Sequence, residues 1–322
     1  MFKPHGRALL VSVVVCALLA AVPPLVGRSR DDLLNLLTLV FVYVTLAQSW
    51  NILGGFAGQI NLGHAAFFGT GTLVARLTWF QGWPLPLALA AGGGAAVLVA
   101  LVIGLPTFRL RGVYFSIGTL ALAEALRITI TNTQPMVSAM PVTQLAAYSL
   151  HPRYYLGLAL AAACVGAAYA LAHSRLGLGM VAVREDEAAA EATGVDALRH
   201  KTAALVLSSL FAGLTGGLWA FKEVSFYLYA PFGPQWTFDP LLIVFIGGVG
   251  TVIGPVVGGA FYVVLRELLA QALVEAHLIV FGILFILVVL LLPGGLVEAW
   301  RRLRQAAALG GKRPSAPKAV EV

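Results

Sequence analysis

The sequence predicts an all-α integral membrane protein of about ten transmembrane helices with glycine-broken segments and both termini cytoplasmic. Three observations predict it. Hydrophobic residues make up 59% of the 322 and charged residues 11%, with a mean hydropathy of +0.89, whereas a soluble domain carries about 25% charge. Apolar runs near the roughly 20 residues that cross a bilayer recur along the chain. The net charge of +7 is distributed between those runs and forms no basic face or stripe, which fits topology signals and not nucleic-acid binding.

The runs fall at 8–26, 33–53, 59–80, 85–105, 113–131, 153–173, 201–221, 238–256, 257–273 and 278–292. Lys3, His5 and Arg7 precede the first run, but no small-x-small cleavage site follows it, so an uncleaved first helix is expected. With the N-terminus inside, 14 of the 21 basic residues fall in cytoplasmic segments. Arg28, Arg30, Arg76, Arg127, Arg153, Lys222 and Arg266 fall near the opposite ends of helices or in external loops, so the positive-inside rule selects this orientation. Residues 132–152 and 222–237 are then external segments long enough either to connect helices or to contact a partner. The transmembrane domain covers 1–300 with a cytoplasmic loop at 174–200, and a basic cytoplasmic tail, 301–322, is expected to be disordered.

That loop holds the main acidic cluster, Arg184-Glu-Asp-Glu-Ala-Ala-Ala-Glu-Ala-Thr-Gly194. Alanine and glutamate favour helix, and Gly194 can end one in the left-handed conformation. A surface helix of about two turns is expected, with Glu185, Asp186 and Glu187 near its positive N-terminal end. It has no apolar stripe for a bilayer, so its alanine face is either solvated or docked in a groove on another protein.

Glycines from Gly54 to Gly71 interrupt an apolar run, which predicts a helix break or a close helix crossing. A break at membrane depth must be buried in protein or line a cavity. Gln59, Asn61 and His64 bring polar side chains to the same block. A second block, Gly247 to Gly259 with Pro255, predicts a turn or broken hairpin at the cytoplasmic surface. Glu124 and Arg127 share a helical face, as either a functional pair or a structural ion pair, and Asp239 before Pro240 is expected to cap the eighth helix. Cys16 and Cys164 lie in apolar runs with no metal or redox spacing.

Four blocks, Asn51–Gly69 (NILGGFAGQINLGHAAFFG), Leu110–Leu120 (LRGVYFSIGTL), the acidic loop and Gly247–Thr251 (GGVGT), resemble the branched-chain amino acid ABC transporter permease family, and within it the M-type subunit. The resemblance spans roughly 30–295. It implies docking of a cytoplasmic ATPase on Glu185, Asp186, Glu187, Ala188, Ala189, Glu191 and Gly194. Four residues separate Ala189 from Gly194, where the general EAA pattern has three, and the usual downstream Ile-x-Leu-Pro is missing. A translocation path along Gly54, Gly55, Gly58, Gln59, Asn61, Gly63, His64, Tyr114 and Thr119 is expected. The resemblance further implies a related permease as heterodimer partner, ATP-binding subunits, a periplasmic solute-binding protein and a bacterial inner-membrane location.

No phosphate-binding Gly-x-x-x-x-Gly-Lys-Ser/Thr, His-Glu-x-x-His or Gly-x-Ser-x-Gly motif occurs. No catalysis, metal or cofactor is therefore expected in this chain, ATP belonging to a partner. The competing expectations are an ion-coupled secondary transporter built around Glu124, a permease for urea or short amides, and a scaffold that transports nothing.

Overall fold

In the computed structural model the chain is a bundle of helices, and the structure describes residues 6–26, 31–134, 136–146, 148–272, 280, 282–283, 286, 290 and 294–310. Helices α1 (Gly6–Ala20) and α2 (Val22–Val26) lead into α3 (Asp31–Asn51), whose first turn carries Asp31 and Asp32 at the end where the helix dipole favours carboxylates. Then follow α4 (His64–Phe80), α5 (Leu85–Thr107), α6 (Val113–Thr133), the short α7 (Val142–Ala146) and α8 (Leu150–Ala172). Beyond them come α9 (Arg175–Glu185), α10 (Glu187–Ala192), α11 (Ala197–Lys222), α12 (Gln235–Gly247), α13 (Gly254–Ala272) and α14 (Gly295–Gly310).

Among the described residues, five helical segments are long and apolar enough to cross a bilayer: Asp31–Phe56, Leu85–Thr107, Val113–Thr133, Leu150–Ala172 and Ala197–Lys222. The expected spans at 59–80 and 238–256 are corrected. The first begins only at His64, and the second ends at Gly247, with a glycine loop before α13 starts at Gly254. The tenth expected span, 278–292, lies mostly outside the described residues, as do Lys3, His5, Arg28, Arg30 and the tail from 311. Residues 301–310, expected within a disordered tail, continue α14 as helix.

The packing centre is α4, α5 and α11, with α3, α8, α12 and α13 around them. Small residues allow the close approach that apolar solvent alone would not drive. A Cβ built on Gly71 of α4 would overlap the backbone of Gly213 on α11, and one on Gly92 of α5 would lie 2.6 Å from the Gly71 carbonyl oxygen. Buried hydroxyls close onto their own helix, as in Thr38 Oγ1 to the Leu34 carbonyl and Thr45 Oγ1 to that of Phe41, each 2.7 Å, which satisfies them without water.

The two segments 132–152 and 222–237 meet. Strands β1 (Val137–Ala139) and β2 (Ser225–Tyr227) pair antiparallel, Ser138 opposite Phe226. Arg76 of α4 is buried beneath them, donating to the Ala220, Glu223 and Val224 carbonyls at 2.7, 3.0 and 2.9 Å and to Ser138 Oγ at 3.0 Å. Its guanidinium lies 4.4 Å over the Phe80 ring. Arg153 does the same from α8, bonding the Phe221 and Ser149 carbonyls at 2.9 and 2.6 Å. Both cations, grouped with the external ends by the sequence, clasp the same end of α11.

Because the α4–α11 crossing admits no side chain at Gly71, Gly71→Val is expected to cost about 1–3 kcal/mol by overpacking, seen as a lowered melting temperature in detergent. An unchanged melting temperature would mean the crossing is looser than described.

Candidate functional site

Helix α3 does not end where the chain turns. It widens into a π-helical turn, Ile52–Phe56, a geometry that forgoes regular i−4 bonding, and residues 57–63 then run without helix up to His64. The released peptide groups are bonded by protein. Ser116 Oγ donates to the Ile60 carbonyl at 2.7 Å, the Leu62 amide donates to Thr119 Oγ1 at 3.2 Å, and Trp50 Nε1 donates to the Asn61 carbonyl at 2.8 Å. The Gly63 amide is taken by Asn61 Oδ1 at 2.8 Å and the Ala65 amide by Thr237 Oγ1 at 2.8 Å. The glycine block is therefore a broken helix whose released groups are bonded by protein.

Most of the expected path residues come together here. Gly54 and Gly55 lie in the π turn, Gly58 turns at φ 70°, and Gln59 is half-buried. His64 is fully buried with Nε2 2.9 Å from Ser49 Oγ, while its Nδ1 and Asn61 Nδ2 have no bonding partner among the described residues. Gln48, next to Ser49 in sequence and also fully buried, has neither amide atom bonded among the described residues. Asn61, Gly63, Phe67, Thr107, Thr119 and Leu205 help line a cavity of about 10 Å³, about the size of one water molecule. Tyr114 of α6 is 75% exposed and is not among the residues that line this cavity.

Asn51, Thr251 and Arg184 were not singled out by sequence, yet they join the break to everything around it. Asn51 Oδ1 accepts from the Gly250 amide at 2.8 Å and its Nδ2 donates to the Thr251 carbonyl at 2.9 Å, so one side chain stands in for a backbone partner to the loop between α12 and α13. Thr251 Oγ1 closes that loop by donating to the Gly248 carbonyl and accepting from the Gly254 amide. Arg184, at the end of α9, donates from Nη1 to the Gly55 carbonyl at 2.8 Å. The one sequence signal for these contacts was their place inside the quoted motifs.

The acidic loop is two helices where one was expected. Ser174 caps α9 by accepting from the Gly177 amide, and Met180 and Val183 bury its inner face. Glu185 is thereby corrected: it ends α9, paired with Arg184 at 2.5 Å, and does not start the next helix. Asp186 caps α10, its Oδ1 accepting from the Ala189 amide at 3.0 Å, and Gly194 follows at φ 89° as expected. Glu187 turns inward to Lys201 at 2.6 Å, and Lys201 is buried. Ala190 packs against Val183 and Ala197. This leaves Ala188, Ala189, Glu191 and Ala192 on the exposed side.

Two other ionisable groups find partners. Glu124 pairs with Arg127 through Nε at 2.8 Å and Nη2 at 2.5 Å, an ion pair within α6. Asp239 lies inside α12 and not at its start, so it caps nothing. It accepts from Tyr43 at 3.2 Å and faces Arg266 at 3.7 Å, while Arg266 also donates to Tyr43 at 2.7 Å. Among the described residues no group of three His, Cys, Asp or Glu side chains could hold a metal ion.

Residues 33–289 match the family model described as branched-chain amino acid transport system / permease component. The chain is similar to the high-affinity branched-chain amino acid transport system permease protein LivM of Escherichia coli (strain K12), 27% identical, over 94% of this chain and 78% of the relative. The LivM protein of Salmonella typhimurium is 26% identical over 92% and 76%. A probable branched-chain amino acid transport permease protein LivM of Methanocaldococcus jannaschii is 24% identical over 83% and 93%. No solved structure matches significantly.

Since Glu187 neutralises a buried ammonium, Glu187→Ala is expected to destabilise the fold by about 1.5–3 kcal/mol, the worth of a hydrogen bond to a charged group, and the swap Glu187→Lys with Lys201→Glu to recover part of it. Thermal unfolding of the two single variants and the double variant checks this. Additive losses with no recovery would refute the pairing.

Proposed function

Because the chain belongs to the family of branched-chain amino acid transport permease components, we propose that it forms the membrane path of a binding-protein-dependent ABC importer for branched-chain amino acids or a similar small polar solute. The family is one of transport permeases, not enzymes, and the chain is a multi-pass membrane protein. ATP would be bound and hydrolysed on separate cytoplasmic subunits, and a related permease would complete the path. A periplasmic binding protein would deliver the solute. The proposed location is the bacterial inner membrane, with ten crossings and both termini cytoplasmic.

The observation that carries this reading is the pair α9–α10, a loop braced on its inner side and open on its outer side. Lys201 holds Glu187, and Ala190 packs inward, while the outer side presents Ala188, Ala189, Glu191 and Ala192. A face of small side chains beside carboxylates suits close approach of another protein with basic groups at its rim. Arg175, Arg184, Arg199 and Lys201 lie towards one end of α11, and Arg76, Arg153 and Lys222 at the other, roughly 39 Å away for its 26 residues. The larger basic share at the α9–α10 end supports a cytoplasmic placement.

On this reading the structure corresponds to a closed state of the proposed path. A cavity of about 10 Å³ has no room for an amino acid, so passage requires α3, α4 and α6 to separate around the break. The buried amide of Gln48, Asn61 Nδ2 and His64 Nδ1 are then available to a solute's carboxylate and ammonium.

Ala188→Arg and Glu191→Arg alter only the exposed side, and each is expected to abolish co-purification of the ATP-binding subunit while membrane insertion and melting temperature stay unchanged. ATPase retained by both variants would remove α10 as the docking element.

A further inference from the structure

Resting on the importer reading, we propose that Arg184 is the residue that transmits movement of the ATPase-facing loop to the broken helix. The guanidinium is divided between two elements: Nε and Nη2 bond Glu185 Oε1 at 3.0 and 2.5 Å, and Nη1 bonds the Gly55 carbonyl at 2.8 Å. Glu185 immediately precedes Asp186, the cap of α10. Gly55 lies in the π turn that ends α3.

The slot that admits this side chain is made of glycine. A Cβ on Gly58 would lie 2.6 Å from Arg184 Cγ, and one on Gly250 2.7 Å from Nη1. Both glycines hold positive φ, 70° and 72°, a conformation that other residues adopt at a cost. Gly250 is in turn bonded by Asn51, one turn before Gly55. Arg184 therefore touches the loop that faces the partner, the break, and the turn between α12 and α13, and it bonds directly to two of them.

A carbonyl at the end of an interrupted helix is a poorly satisfied acceptor carrying partial negative charge. With the guanidinium in place, that carbonyl is paired and the π turn is held. If α10 is drawn by its partner, Glu185 and Arg184 move with it, the Gly55 carbonyl loses its donor, and the break is free to change its bonding. The extended fork of arginine permits this double attachment, whereas a lysine ammonium can hold one partner well but not both.

The test is leucine uptake and ATP hydrolysis by the complete importer, with both permeases, ATP-binding subunits and binding protein, reconstituted in proteoliposomes. In Arg184→Ala the ATPase is expected to stay bound and to hydrolyse ATP, while leucine carried per ATP falls roughly fivefold or more, the lower range of coupling between linked sites. Arg184→Lys is expected to restore part of the ratio. Should Arg184→Ala fold poorly, Arg184→Met keeps the stem against Gly58 and decides by the same ratio. A wild-type ratio in either variant, or loss of folded protein in both, overturns the proposal. No association of any ATP-binding subunit with the unaltered chain would instead sink the importer reading beneath it.

Discussion

A peptide group released from a helix inside an apolar bundle has only protein to bond with, at a cost of several kcal/mol if it fails. The stretch from Ile52 to Gly63 poses that problem, and much of the surrounding structure answers it. Ser116 and Thr119 are on α6 at the spacing that puts both on one face. Trp50 reaches forward eleven residues, Thr237 of α12 takes the amide beyond the break, and Arg184 arrives from the far loop. Elements remote in sequence are bound together because one helix is interrupted. Any motion of the break must exchange these bonds for others, which confines it to discrete arrangements.

Much of this was legible in the sequence and some was not, for physical reasons. Composition and run length exposed the long spans, because burial in lipid demands uninterrupted apolar residues. Glycine density exposed the break, and Gly194 its helix end. The extent of the acidic loop's structure was missed, since Leu176, Met180 and Val183 are too few to stand out within a charged interruption, yet they bury one face of an eleven-residue helix. Tyr114 is instructive. It stands five residues before Thr119, about 140° away around a helix, so the two could not share a face, whereas Ser116 could. The pairings Glu187 with Lys201, Asp239 with Tyr43 and Ser138 with Phe226 join residues distant in sequence, and single-chain patterns carry no register for such contacts.

The fixed charges divide into two kinds. Arg76 and Arg153 are clasped by carbonyls and aromatic rings at one end of the bundle, where they tie the strand pair and α11 to neighbouring helices. Glu187, Lys201, Arg184 and Glu185 lie at the other end, where half-buried ion pairs meet an exposed small-residue face.

Driven transport in defined vesicles measures this most directly. Proteoliposomes holding the chain with its permease and ATP-binding partners, supplied with binding protein and leucine on one side and ATP on the other, are expected to accumulate leucine only when ATP is present. Accumulation by the chain alone under a proton or sodium gradient, without ATP or an ATPase, would contradict the account.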